Sequence, residues 1–206
     1  MSGPNTRPLA LERLVYFSDA VFAIAITLLV LDIKVPELDP ASARAGLVSQ
    51  LFALVPRIAG YLVSFLVIGI YWEAHHRMFG FITACTRTLI WLNLLELMLI
   101  AFLPFPTALI GRYAFVPAAV MFYASAVLAV GLVRTAIWWY ATHVRRLIDA
   151  DTPESEIRAG LWRGITAPLV FAISIPIASI APVTAMLSWI AIVPLLRLID
   201  WRVRKA

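Results

Sequence analysis

Six long apolar segments, separated by short polar connections, dominate the hydrophobic pattern of the chain. An α-helix needs about 20 mostly apolar residues to cross the hydrocarbon core of a bilayer. The segments that reach or approach this length span residues 14–33, 51–72, 89–110, 115–140, 161–181 and 183–199. The longest polar connection, residues 143–163, is predicted to be a cytoplasmic loop. The pattern therefore predicts an all-α integral membrane protein in which residues 1–206 form one transmembrane domain of six helices.

The composition excludes the main alternatives to a membrane protein. Hydrophobic residues make up 62% of the 206 residues and charged residues 14%, against about 45–50% and about 25% in soluble domains. A soluble enzyme of this size needs more polar surface than this chain supplies. The net charge of +5 does not indicate a nucleic-acid partner, because basic residues gather at the cytoplasmic ends of membrane helices.

The distribution of Lys and Arg predicts how the helices are oriented in the membrane. Twelve basic residues fall in the two terminal segments and in the second and fourth connections, whereas three fall on the opposite side. Lys and Arg in short loops favour the cytoplasmic side. We therefore expect a multi-pass protein of the cell (inner) membrane with both its N-terminus and its C-terminus in the cytoplasm.

The first apolar helix has two distinct faces when its residues are placed at 100° intervals. One face is an apolar ladder with a threonine on its flank and an arginine at its cytoplasmic end. The ladder face contains Arg13, Phe17, Ala20, Ile24, Thr27, Leu28 and Leu31. Ser18 and Asp19 project about 120–140° away from this face. A helix of this kind is asymmetric, and its two faces need different neighbours.

The carboxylate of Asp19 needs a polar partner, since an unpaired one inside the membrane costs about 2–3 kcal/mol. The candidate partners near the ends of the next two helices are Trp72, His75, His76, Arg77 and Asn93. Two interpretations remain open at this point. The polar residues either lock the helices together or take part in transport, and the ladder spacing alone is also typical of an ordinary packed helix.

The motif Arg13-x-x-x-Phe17-Ser18-Asp19 resembles the signature of the transmembrane protein 175 family of potassium channels. The following residues 20–33, AVFAIAITLLVLDI, resemble the rest of that family's first helix. The third apolar segment adds WLNLL at 91–95 and FLPFPT at 102–107. The similarity extends over the six-helix chain, and its specific motifs lie in the first three helices.

The resemblance implies a homotetramer in the lipid bilayer, with the first helix of each subunit lining a central pore. Ile24, Leu28 and Leu31 would then form stacked hydrophobic rings beside Thr27, with Ile24 at the narrowest point. A packing network around this helix would comprise Arg13, Phe17, Ser18, Asp19, Trp72, His75, His76 and Asn93. A narrow apolar ring holds water poorly, so we expect a modest preference for K⁺ over Na⁺. Permeant K⁺ is expected, without a cofactor or a structural metal.

The principal alternative function is a proton-coupled secondary transporter that uses Asp19, His75 and His76. Transporters of that kind usually contain internal repeats, and no repeat is evident in this chain. An enzyme is not expected, since the sequence lacks nucleophile motifs such as GxSxG. The sequence leaves the charged residues Arg57, Glu96 and Arg134, which lie inside apolar segments, without an assigned role.

Overall fold

The computed structural model describes the backbone of residues 9–203, and the side chains of these residues except 40–43, 45 and 203. The described chain is helical almost throughout. Its α-helices are α1 (Leu9–Leu28), α2 (Pro40–Ala53), α3 (Val55–Phe81), α4 (Arg87–Phe102), α5 (Pro104–Arg112), α6 (Pro117–Trp139), α7 (Glu154–Ile180), α8 (Pro182–Ser188) and α9 (Ile192–Val203). Short 3₁₀ turns follow α1 at Leu29–Asp32 and α8 at Trp189–Ala191, and a π-helical turn, Tyr140–Val144, follows α6.

These helices form six stretches that are long and apolar enough to cross a membrane, as the hydrophobic pattern predicts. The stretches are Leu9–Asp32, Gly46–Phe81, Arg87–Arg112, Pro117–Val144, Glu154–Ile180 and Pro182–Arg202. The prediction of an all-helical chain with six apolar helices is therefore confirmed. Two prolines mark interruptions, because a proline ring clashes with the preceding turn. The helix stops at Leu54 before Pro56 and at Leu103 before Pro104.

Several helices extend beyond the predicted apolar segments. Helix α1 begins at Leu9, α3 continues to Phe81, and α7 begins at Glu154. Residues 154–163, predicted as part of a loop, are therefore helical, and the connection after the π-helical turn is limited to residues 145–153. The reason is that backbone hydrogen bonds continue a helix into water through amphipathic turns, whereas hydropathy marks only the part in lipid.

Helix α6 lies at the centre of the bundle, where it packs against α4, α5, α7 and α8. Its buried face carries Val120, Tyr123, Val127 and Val130, among other residues with almost no exposed surface. The contact between α6 and α7 is close at Gly131. A Cβ atom at this position would lie 2.6 Å from Cγ of Pro168 and 2.9 Å from the Tyr71 hydroxyl oxygen. The absence of a side chain at Gly131 thus sets how closely α6 approaches α7 and α3.

Substitution Gly131→Ala is expected to lower the thermal stability of the purified protein, by about 1–3 kcal/mol in free energy of unfolding. The added methyl group meets the rigid proline ring of α7, so the two helices must move apart. Thermal unfolding in detergent, followed by intrinsic fluorescence, measures the effect. Gly69→Ala on α3 is the matched control, since nothing lies within 4 Å of its Cβ position. Equal unfolding temperatures for the two variants would contradict close packing at Gly131.

Candidate functional site

Helix α1 packs against the rest of the chain along one face and leaves the other face uncovered. Leu11, Leu14, Phe22, Ala25 and Leu29 are buried on the packed face, against α3, α4 and their neighbours. The predicted ladder lies on the uncovered face. The exposed fractions of its apolar members are 57% for Ile24, 43% for Leu28 and 69% for Leu31. The part of the chain that the structure describes therefore provides no partner surface for these residues of α1.

Thr27 lies on the uncovered face, and its hydroxyl group is oriented by the helix itself. Thr27 Oγ1 donates a hydrogen bond to the backbone carbonyl of Ile24 over 2.9 Å. The hydroxyl proton thus points back along the helix. The lone pairs of the oxygen stay available to accept a hydrogen bond or to contact a cation.

A chain of buried hydrogen bonds holds the packed face of α1 to α3 and α4. Asn93 Nδ2 donates to Ser18 Oγ over 3.0 Å, and Ser18 Oγ donates to the carbonyl of Leu14 over 2.8 Å. His75 Nε2 donates a hydrogen bond to Asn93 Oδ1 over 2.9 Å. All three polar side chains are fully buried. We call Ser18, Asn93 and His75 the polar anchor of α1.

Asp19 binds a different residue from those of the polar anchor. Trp72 Nε1 donates to Asp19 Oδ1 over 2.9 Å, and the indole ring lies 5.7 Å from the ring of His76. The half-buried carboxylate thus finds its partner on α3, one turn from His75. Arg77, also considered as a partner, instead forms an ion pair with Glu73.

The predicted packing network is therefore only partly assembled within one chain. Ser18, Asn93 and His75 come together, and Asp19, Trp72 and His76 form a second group beside them. Arg13 and Phe17 are instead exposed on the same side of α1 as the ladder. Neither side chain is therefore part of the core of this chain.

A buried ion pair lies next to these groups, formed by two charged residues to which the sequence pattern assigned no role. Arg134 Nε on α6 donates to Glu96 Oε1 on α4 over 2.7 Å, and Arg134 Nη1 donates to the carbonyl of Tyr71 on α3. The guanidinium carbon also lies 4.7 Å from the centre of the Tyr71 ring. Glu96 is fully buried and Arg134 is 5% exposed. This ion pair joins α3, α4 and α6.

The two charged residues lie at similar depths from the same end of the bundle, and this similarity indicates that they pair. Glu96 lies nine residues after the start of α4, about 14 Å along the helix axis. Arg134 lies ten residues before the end of the helical stretch at Val144, about 15 Å from the same end of the bundle. Two opposite charges at equal depth in antiparallel apolar helices favour pairing.

These features define an α-helical multi-pass membrane protein whose first helix is anchored on one side and uncovered on the other. The family model for the endosomal/lysosomal potassium channel TMEM175 matches residues 13–104. A potassium channel of Streptomyces collinus is 41% identical over 179 residues, which are 84% of each chain. A second potassium channel, from Chamaesiphon minutus, is 41% identical over 71% of this chain and 73% of its own. The chain belongs to the TMEM175 family.

Solved structures agree with this assignment. The crystal structure of a lysosomal potassium-selective channel TMEM175 homologue from Chamaesiphon minutus aligns with a TM-score of 0.79 and 32% identity, covering 95% of this chain and 99% of that chain. The human endosomal/lysosomal proton channel TMEM175 is 34% identical over 72% of this chain, but that region is 29% of the human protein.

The comparisons confirm the family inferred from the first-helix and third-helix motifs. The matched relatives are named as channels, which also confirms that the chain is not an enzyme. Among the residues that the structure describes, no group of three or more His, Cys, Asp or Glu side chains is placed to hold a metal ion.

Substitution Arg134→Met is expected to destabilise the protein by about 3–5 kcal/mol, because it leaves the buried charge of Glu96 without its partner. The double variant Arg134→Met/Glu96→Gln removes both charges and is expected to recover most of that loss. Thermal unfolding of the purified proteins in detergent measures both effects. If the single and double variants unfold at the same temperature, the unpaired charge of Glu96 is not what destabilises the single variant.

Proposed function

We propose that the protein is a potassium-permeable cation channel of the cell (inner) membrane, assembled from four copies around a pore lined by α1. The distribution of basic residues supports cytoplasmic N- and C-termini in this proposal. The observation that carries the proposal is the uncovered apolar face of a membrane-crossing helix whose opposite face is tightly anchored. A symmetric assembly of four chains brings the same face of each α1 to a common axis.

The polar anchor supports this proposal because it fixes the rotation of α1. Ser18 is held through Asn93 to His75, so α1 cannot turn about its axis without breaking buried hydrogen bonds. A buried polar group that loses its partner costs about 1–3 kcal/mol. The bond from Trp72 to Asp19 adds a second restraint. These contacts keep Ile24, Leu28 and Leu31 directed away from the subunit.

An apolar constriction made by four copies of this ladder accounts for a modest preference for K⁺. A narrow hydrophobic ring is wetted poorly, so an ion that passes it sheds part of its hydration shell. K⁺ holds its water less tightly than Na⁺ and is therefore penalised less. Ile24 forms the narrowest ring in this proposal. The Thr27 oxygen, whose proton is directed to the Ile24 carbonyl, offers lone pairs to the partly dehydrated ion. The permeant ion is K⁺, and the channel needs no cofactor.

Proton movement is the second candidate function, either as conduction or as coupled transport. The human, rat and mouse relatives are named proton channels. Within this chain, His75 Nδ1 and Glu96 Oε2 are buried without a hydrogen-bond partner. Buried polar atoms of this kind often bind an internal water molecule. Asp19 and His76 lie in the neighbouring group with Trp72.

Purified protein in liposomes is expected to pass K⁺ down its gradient with stepwise unitary currents. The variant Ile24→Asn is expected to show a smaller preference for K⁺ over Na⁺ than the wild type. The amide wets the constriction, so an ion that passes it no longer has to lose as much water. Bilayer recordings with K⁺ and Na⁺ on opposite sides measure the reversal potential for both proteins.

Ile58→Asn is the matched control for this experiment, because Ile58 is exposed on α3 and lies outside the ladder. Its reversal potential is expected to equal that of the wild type. Unchanged selectivity in Ile24→Asn excludes Ile24 as the selective ring. Lack of K⁺ flux at every pH tested, accompanied by proton uptake, supports the proton alternative instead.

Substitution Asp19→Ala is expected to reduce assembly before it changes selectivity. It removes the acceptor of the Trp72 Nε1 proton, whereas Asp19→Asn keeps an acceptor oxygen and is expected to assemble more completely. Size-exclusion chromatography with light scattering gives the assembled fraction, and bilayer recordings give the selectivity of that fraction. A fully assembled Asp19→Ala protein with altered selectivity would show that Asp19 contacts the ion directly.

A further inference from the structure

A cavity of about 140 Å³ lies between α3, α6, α7 and α9, away from the uncovered face of α1. Its walls are largely apolar and aromatic. The wall residues include Val67, Met78, Phe81, Trp138, Phe171 and Ile192. Along α3 alone the lining runs from Val67 to Phe81, which is about 21 Å at 1.5 Å per residue. The cavity is therefore elongated along the helix axes, the direction in which lipid chains lie in a bilayer.

The cavity has an ionic rim at the end of the bundle where α7 begins. The rim contains Glu73, Arg77, Glu156, Arg163 and Asp200. Arg163 Nε donates to Asp200 Oδ1 over 2.7 Å, and Arg163 Nη1 donates to Glu156 Oε2 over 3.1 Å. Arg77 lies 3.9 Å from the same carboxylate of Asp200. The rim thus links α3, α7 and α9.

The rim offers binding groups of both signs. Its three carboxylates exceed its two guanidinium groups by one negative charge. Glu73 and Arg77 form an ion pair with each other, and their side chains are 55% and 39% exposed, so each can bind a further partner on its exposed side. Ile70, another lining residue, is 42% exposed and marks where the cavity reaches the outer surface of α3. An apolar slot that ends in exposed acidic and basic groups matches an amphiphile with a zwitterionic head.

We propose that this cavity is a binding site for a phosphatidylethanolamine molecule of the surrounding membrane. A segment of one acyl chain occupies the apolar slot between α3 and α9, since a volume of about 140 Å³ holds a few methylene groups and the rest of the chain stays in the membrane. The phosphate accepts hydrogen bonds from Arg77, since guanidinium groups match phosphate oxygens. The primary ammonium donates hydrogen bonds to Glu73, as a lysine ammonium does. Phosphatidylcholine has no N–H groups to donate, and phosphatidylglycerol has no cation, so neither satisfies both sides of the rim.

Native mass spectrometry of the purified full-length protein tests this site. The protein is washed free of lipid in detergent and titrated separately with phosphatidylethanolamine, phosphatidylcholine and phosphatidylglycerol. We expect one phosphatidylethanolamine per chain to bind at least about tenfold more tightly than the other two lipids, a difference of about 1.4 kcal/mol. Equal binding of the three lipids would overturn the proposal.

Two variants locate the binding. Ala74→Phe places a ring in the cavity and is expected to weaken phosphatidylethanolamine binding about tenfold or more. Ala59→Phe, at an exposed position of α3 outside the cavity, is the matched control and is expected to bind as the wild type does. If Ala74→Phe does not fold, Glu73→Gln serves in its place, because it leaves the slot open and removes the acceptor charge for the ammonium.

Glu73→Gln is expected to lose the preference for phosphatidylethanolamine over phosphatidylcholine while it still binds lipid. The assignment is wrong if the preference survives this change, or if Ala74→Phe binds phosphatidylethanolamine as the wild type does. It is also wrong if Ala74→Phe changes the oligomeric mass and leaves lipid binding unaltered. That last result assigns the slot to a contact with a second copy of the chain.

Discussion

The bundle depends on one constraint, which is that a polar group inside the hydrocarbon layer must find its partner within the protein. Ser18, Asn93 and His75 Nε2 meet this requirement across three helices, and Arg134 meets it with one carboxylate oxygen of Glu96. His75 Nδ1 and Glu96 Oε2 are the atoms of these groups that are left without a partner. Their geometry fixes which way each helix faces, because a rotated helix would present the same groups to lipid. Apolar contacts fill the space between the helices but allow many rotations. The buried polar contacts select one of them.

This constraint links the interior of the helical bundle to its outer surface. Helix α1 directs Ser18 inward, and the helical repeat then directs Ile24, Leu28 and Leu31 outward. The short distance between α6 and α7 at Gly131 and Pro168 makes the scaffold behind the polar anchor rigid. The proposed constriction is made of flexible aliphatic side chains and would need such a scaffold, since a shift of about 1 Å at a narrow site changes its function.

Much of this arrangement follows from the sequence. Because an α-helix repeats every 3.6 residues, Ile24 and Ser18 are predicted to lie on different faces of α1. The cost of burying Asp19 predicts a polar partner such as Trp72. The choice between Trp72 and His75 depends on helix rotation and depth, which the sequence does not specify. The equal depths of Glu96 and Arg134 favour their pairing, but these depths are counted from the ends of α4 and of the helical stretch after α6, which hydropathy alone does not fix. The cavity depends on how far α3 and α9 stand apart, and no single segment encodes that separation.

The 3₁₀ turn that follows α1 sets the spacing of the ladder. From Ile24 to Leu28 the chain rises as an α-helix, about 6 Å over four residues. From Leu28 to Leu31 it follows the tighter 3₁₀ turn, which also rises about 6 Å over three residues and places side chains three apart in line. The three aliphatic groups therefore stand at equal intervals along about 12 Å. Over that length, the hydroxyl oxygen of Thr27 adds one polar side-chain atom beside an evenly spaced row of apolar side chains.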